Sequence, residues 1–397
     1  MFTVINQYFL SWRCFYPVLF TLCILSLFHQ DLKVGLIFSL IAFLYWLKFF
    51  SLKKVTNKVD AFVVLFIVVC VISLLWEEGN SAFSNYIYGL SYTVLPACFY
   101  FYAKQLSFKE QNDVIKQIVY AVEISMFIGL LLYIAAPGFY IDFLLKKAII
   151  PNDTLFQVRR YYQGLFGVTM TSSLCLYALI YELHDIQKKN KKRIPIFMLL
   201  FVLLIMTMRK SALLGFLFII IFELFLSKKT NKKVILIILF IIAIIGLFAI
   251  REFPELYEAV VFRFSGEDVE DGLISRSTQA TTSLANLENY MLGNGLGSAG
   301  HHAGMSADLK VVIFDNAYLL LLCEIGIVGL LAFVLSTLPV LTSKLVRNKN
   351  RYAYEIFIVI LLQSLTSNMF EFIYIMPFFW FIFGVCVSCK YCKIKTI

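Results

Sequence analysis

Apolar runs long enough to cross a bilayer repeat along the chain, and short lysine-rich clusters break them. A transmembrane helix needs roughly 20 apolar residues, so this pattern predicts an all-α, polytopic membrane protein with about twelve transmembrane helices. Residues 1–397 read as a single integral-membrane domain without a soluble appendage. One long polar stretch interrupts the rhythm: residues 251–315, predicted to be a large extracytoplasmic loop between late spans, which runs into Asp315-Asn316-Ala317-Tyr318 at the head of an apolar helix. No internal repeat of the kind that marks inverted transporter halves is evident.

The charge pattern sets a topology. Lys188 to Arg193 and Lys228 to Lys233 are both basic and both belong on the cytoplasmic side. The apolar stretch between them, Ile194 to Leu226, would rise about 50 Å as one helix, too long for a hydrocarbon core of roughly 30 Å. It therefore predicts a hairpin with its tip near Met208-Arg209-Lys210-Ser211 on the outer face. By the same logic Tyr352 to Ser388 turns around Asn368 and Glu371. Residues 137–160 fall outside, with Pro137-Gly138 ending a helix, and Lys53-Lys54 and Lys104 to Lys116 fall inside. Both termini are expected in the cytoplasm, and the apolar run after Arg13 reads as a retained signal anchor.

Composition changes this picture little. Hydrophobic residues make up 60% of the chain and charged residues 15%, with a net charge of +10, whereas soluble domains carry about a quarter charged residues. In a soluble protein that excess would suggest nucleic acid; here it follows the positive-inside rule, so no nucleic-acid partner is expected. Cysteines such as Cys23, Cys70, Cys98 and Cys175 sit in apolar runs, which implies no disulfide framework. Cys389-Lys390-Tyr391-Cys392 lacks a second ligand pair, so no metal site is expected.

Candidate chemistry gathers on the outer side, where the topology puts Arg159, Arg160, Arg209, Arg251, Arg263 and Arg276. Guanidinium forks suit phosphate oxygens, and interfacial cations mark substrate paths. Arg251 and Arg263 have carboxylates close in sequence and suit local pairing. Arg160 and Lys210 are candidate substrate-binding cations. Gly293 and Gly295, in Gly293-Asn294-Gly295-Leu296-Gly297, could cradle a phosphate through backbone N–H groups or could form a plain turn. His301 and His302 are candidate general bases, with solvated loop residues as the bland alternative. Asp315 sits where Asp caps helices well and where a carboxylate could also act as general base.

Three segments together resemble the bacterial O-antigen polymerase and ligase family. Thr207-Met208-Arg209-Lys210-Ser211-Ala212 is similar to its Ser-Arg-Ser/Thr-Ala segment. Arg276, followed by Leu292-Gly293-Asn294-Gly295-Leu296-Gly297, is similar to its outer-loop arginine and leucine-glycine-x-glycine run. Asp315-Asn316-Ala317-Tyr318-Leu319, with Glu324, Gly326 and Gly329, is similar to its His-Asn-x-Tyr-Leu signature and the Glu-x-Gly-x-x-Gly that follows. Arg160-Tyr161-Tyr162-Gln163-Gly164-Leu165-Phe166 resembles the family's Arg-x-x-Gly-x-Phe, with Val168-Thr169 in place of the usual Pro-Asn. The family's frequent His is Asp315 here, a change that favours polymerase over ligase.

The resemblance implies an inverting glycosyltransferase of the bacterial cytoplasmic membrane. Its substrates would be undecaprenyl-diphosphate-linked oligosaccharide repeat units, joined into O-antigen or capsular polysaccharide, with no cofactor. Arg209 and Arg276 would stabilise the diphosphate leaving group, Asp315, His301 or His302 would take the acceptor proton, and Asn316 and Tyr318 would line the substrate site. The bilayer is a partner throughout; a chain-length regulator and a flippase are candidate protein partners. An O-antigen ligase passing polymer to lipid A core, and a lipid-linked oligosaccharide flippase, are the alternatives.

Overall fold

The structure, a computed structural model, describes residues 57–76, 82–146, 162–226, 266–300, 315–372 and 374–391, with short pieces between 232 and 240. The described residues are helical and contain no strand. Among the described residues three helices are long and apolar enough to cross a membrane: α1 (Lys58–Ile72, prolonged by a 3-10 turn to Trp76), α4 (Phe108–Ala135) and α10 (Ala317–Leu341). Between the first two lie α2 (Ala82–Gly89) and α3 (Cys98–Gln105), joined by a π turn and a 3-10 turn. After α4 come α5 (Pro137–Lys146), α6 (Val168–Gln187), α7 (Ile194–Met206), α8 (Lys210–Ile221) and α9 (Gly266–Ala285). Beyond α10 follow α11 (Lys344–Lys349), α12 (Arg351–Gln363) and α13 (Ile375–Tyr391). The first spans expected from the sequence, and the pair Cys389 and Cys392, fall in or against regions outside the described residues.

Caps written in the sequence start several helices. Asn57 accepts from Asp60 N at 3.0 Å to open α1, and Ser107 with Glu110 forms a reciprocal capping box at α4. The expected hairpin over 194–226 is present. α7 and α8 are 13 and 12 residues long and turn at Thr207–Arg209, with Met208 at φ +51°. Both lie along α6, α7 antiparallel to it and α8 parallel. The second expected hairpin turns through a 3-10 segment at Met369–Glu371 between α12 and α13. Pro137 occupies the first turn of a new helix, so the chain there continues into α5 after a single non-helical residue. Within residues 251–315, expected to be a loop, the described residues 266–285 form a helix.

α1 packs along α10 and α13 along α3. Small residues permit the second approach, since a Cβ at Gly384 would collide with Tyr100 O and meet Ala103 Cβ at 2.8 Å. Trp380 is fully buried between Phe66, Phe379 and Phe383. Polar contacts then sort to opposite ends of the bundle. Arg193, Glu182, Glu123, His184, Glu223, Arg351 and Glu355 meet around the finish of α6 and the start of α12. Tyr162, Met206, Arg209 and Thr169 meet around the start of α6. At that same end Ala317 N donates to Ser364 O at 2.9 Å, and Trp76 Nε1 to Leu292 O at 3.1 Å.

Candidate functional site

α10 is a broken helix. At Gly326 the backbone turns to φ +65°, ψ −170°, a conformation that releases the hydrogen bonds of one helical turn. Residues 290–295 replace them. Asn294 N donates to Cys323 O at 2.8 Å and Gly295 N to Glu324 O at 3.0 Å, while Ile327 N and Val328 N donate to Tyr290 O and Met291 O at 2.9 and 3.2 Å. In an apolar surround each unpaired backbone group costs several kcal/mol, so this splice is what makes the break tolerable. The approach demands glycine on both sides: a Cβ at Gly293 would lie 2.5 Å from Glu324 C, and one at Gly326 would strike Met291. Leu296 N donates to Ser73 Oγ at 3.1 Å, which ties the splice to α1.

The glycine string therefore spends its N–H groups on protein. Gly293 N goes to Asn289 O at 2.7 Å and Gly295 N to Glu324 O, leaving neither directed at a ligand phosphate. What the splice does is position other groups. α9 leads into it, and Arg276 on α9 reaches back to the head of α10, where its Nε lies 3.6 Å from Asp315 Oδ2. The two side chains are 46% and 42% exposed, so the pair is wet and worth about 0–1 kcal/mol of stability. Asp315 does not cap the helix. Asn316 does, accepting from Tyr318 N and Leu319 N at 3.0 Å each, because its backbone is the last extended position before α10. The Asp315 carboxylate thus faces Arg276 and solvent rather than the helix N-terminus.

Arg209 ends the turn between α7 and α8 in an extended conformation and donates to Thr169 Oγ1 near the start of α6; Lys210 follows as the first residue of α8. Thr169 stands in the segment noted for its departure from the family's Pro-Asn, and here that hydroxyl orients the arginine. Tyr162 donates to Met126 O at 2.9 Å, and burial raises its pKa, so it stays a neutral donor. Tyr318 donates to Leu361 O at 2.9 Å and its ring packs 6.3 Å from Phe333, so this residue joins α10 to α12. Arg160, His301 and His302 lie outside the described residues. Of the sequence candidates, Arg276 and Asp315 are brought into direct contact, and Arg209 belongs to the same end of the bundle.

A small cleft, with accessible space of about 20 Å³, lies between α2 with its π turn, the splice, α10 and the 3-10 turn before α13. Tyr88, Tyr92, Glu324 and Glu371 line it together with Leu320 and Thr93. Sequence reasoning used Glu324 only as part of a signature and Glu371 only as a turn marker. A signal was present, since a carboxylate in an apolar helix marks a site by default; the same signal would have found Glu182 and Glu355.

A family model described as O-antigen ligase matches residues 195–334. That range runs from α7 through Arg209, Arg276, the splice and Asp315 into α10. No curated protein matches the chain.

Proposed function

We propose that this chain, which a family model described as O-antigen ligase matches over residues 195–334, belongs to the O-antigen polymerase and ligase family and polymerises lipid-diphosphate-linked oligosaccharide repeat units at the outer face of the cytoplasmic membrane. The observation that carries the reading is the half-exposed Arg276–Asp315 pair at the mouth of a broken helix. Donor diphosphate competes for the Arg276 guanidinium, which is held by one loose contact, and binding it releases the carboxylate. Asp315 then takes the proton of the acceptor hydroxyl, whose oxygen attacks the anomeric carbon as its bond to the phosphate oxygen breaks. Negative charge grows on the departing diphosphate, and Arg276, with Arg209 from the α7–α8 turn, stabilises it in a preorganised way. One displacement inverts the anomeric centre, and no step calls on a nucleotide. Residues 251–315 face the outside in this scheme, so a cysteine at the exposed Ser277 reacts with an impermeant thiol reagent in cells with a permeabilised outer membrane; labelling only after lysis refutes the orientation.

Because the matching model is described as a ligase, the second reading is transfer of finished polymer to a lipid acceptor. Arg276→Ala separates them. Loss of a leaving-group contact costs several kcal/mol of transition-state stabilisation, and Arg276→Lys recovers little, since ammonium cannot bind two oxygens as a fork. A disabled polymerase leaves surface glycolipid carrying one repeat unit, whereas a disabled ligase leaves long polymer on its lipid diphosphate and a disabled flippase traps single units in the cytoplasm. Gel analysis of surface glycolipid and lipid-linked intermediates reads the outcome. Normal long polymer removes Arg276 from the mechanism.

A further inference from the structure

We propose that Asn294 is a positioning residue for the reaction: its side chain locks the end of α9 to the break in α10 and so holds Arg276 against Asp315. The inference rests on the glycosyl-transfer reading of that pair and deepens it. Asn294 is bonded in two directions. Its backbone N–H donates to Cys323 O of α10 at 2.8 Å, a splice bond that any residue except proline would make. Its side chain reaches back across the turn instead: Nδ2 donates to Asn286 O at 3.3 Å and Oδ1 accepts from Glu288 N at 3.2 Å. Asn286 follows Ala285, the last residue of α9, and its own N–H still donates to Thr282 O at 3.1 Å. One residue therefore joins the C-terminal end of the helix that carries Arg276 to the helix that begins beside Asp315.

A nearby asparagine shows what is particular to Asn294. Asn289 Oδ1 accepts from Met291 N and Leu292 N at 2.9 and 3.1 Å, bonds within three residues that shape the turn and reach neither helix. α9 needs a fastening of the longer kind. Of the α9 side chains among the described residues Ser283 alone is buried, and Leu287 is the next buried residue after the helix. Burial is thus confined to the C-terminal end, while Arg276 lies nine residues before Ala285, about 14 Å away at 1.5 Å per residue. A helix gripped at one end is a lever. A tilt of about 4° at the joint moves Arg276 by about 1 Å over that length, and a misplacement of roughly 1 Å is enough to cost about a hundredfold in rate. The wet 3.6 Å contact with Asp315 is too weak to resist such a tilt. Two side-chain bonds to different residues, 286 and 288, fix an angle where one bond would leave a swivel.

The test uses the full chain in lipid nanodiscs. Nitroxide labels enter through an unnatural amino acid at Ser277 of α9 and Leu331 of α10, both exposed, and pulsed electron resonance reads their distance distribution. Rates are measured on unlabelled protein, with lipid-linked repeat units extracted from the host as substrate. With Asn294 in place the distribution is narrow. Asn294→Ala keeps the backbone splice and its melting temperature but at least doubles the width. Its kcat falls at least tenfold with KM within twofold, because the leaving group is misaligned in the transition state rather than bound less well. Asn294→Asp keeps the acceptor for Glu288 N and falls between the two in width and in rate. A wild-type width in Asn294→Ala overturns the proposal whatever the rate does, and so does a broadened distribution with a wild-type rate. Loss of folded protein in both variants assigns Asn294 to the fold and overturns it as well. Arg276→Ala decides the underlying reading separately: if it retains long polymer, the reaction reading fails even where the width contrast at Asn294 stands.

Discussion

The two ends of the bundle handle charge in opposite ways. At the end where α6 finishes, Arg193 Nη2 lies 2.6 Å from Glu123 and 2.6 Å from Glu182, whose side chain is fully buried. His184 lies 2.8 Å from Glu355, and Arg351 bonds both Glu355 and Glu223. Asp60 accepts from Tyr100 and pairs with Lys104. At the other end Arg276 and Asp315 meet at 3.6 Å, nearly half exposed, through a single contact among the described residues. Buried pairs with several partners are committed to the fold, because separating them strands charge in a poor solvent. A loose, wet pair commits almost nothing and can be exchanged for a ligand. Charge held tightly at one end fastens helices together; charge held loosely at the other is free to do chemistry.

The largest expected difference comes from deleting one arginine at each end. Arg193→Ala leaves Glu182 and Glu123 facing each other without their counterion, and removal of one partner from a buried pair costs about 3–5 kcal/mol. The expected outcome is a steep loss of folded protein from the membrane fraction and a lowered melting temperature in detergent. Arg276→Ala keeps its level and melting temperature while losing polymer. Equal stability of the two variants would erase the contrast between the ends.

The sequence revealed much of this arrangement, and the losses have physical causes. The hairpins at Met208–Arg209 and near Asn368–Glu371 followed from length and charge alone, since the 33 apolar residues of 194–226 are too many for one straight span between two basic clusters expected on the same side. Arg276 and Asp315 were each legible as candidates, but their contact was not, because some forty residues separate them in the chain. The cap was misassigned by one position: Asp315 and Asn316 are both good caps, and only backbone angles reveal which residue is the last extended one. The role of the glycine string was hidden for another reason. Glycines that cradle phosphate and glycines that let one backbone approach another look alike in sequence, and the partner, Gly326 in a different segment, becomes visible only once the chain is folded. The sharing of Arg193 by two acidic residues crosses three helices, which no local pattern records.

The smallest effects divide Asp315 from Asn316 and sharpen the contrast within one dipeptide. Asn316→Ala removes the side-chain acceptor of two N–H groups and is expected to cost about 1 kcal/mol, within the usual range for a lost N-cap. That shows as a drop of a few degrees in melting temperature; polymer still made reduces Asn316 to a cap, and polymer lost keeps it in the substrate site where the resemblance put it. Asp315→Asn leaves the cap in place and gives up only an exposed ion pair, so its melting temperature stays within error of wild type. Polymer is lost all the same, because an amide cannot accept the hydroxyl proton. The pair forms a double dissociation between stability and activity at adjacent residues, read by thermal melts on purified protein and by surface glycolipid gels. Full-length polymer in Asp315→Asn cells would move the base elsewhere in the site, and an unfolded Asp315→Asn protein would mean that the contact with Arg276 belongs to the fold after all.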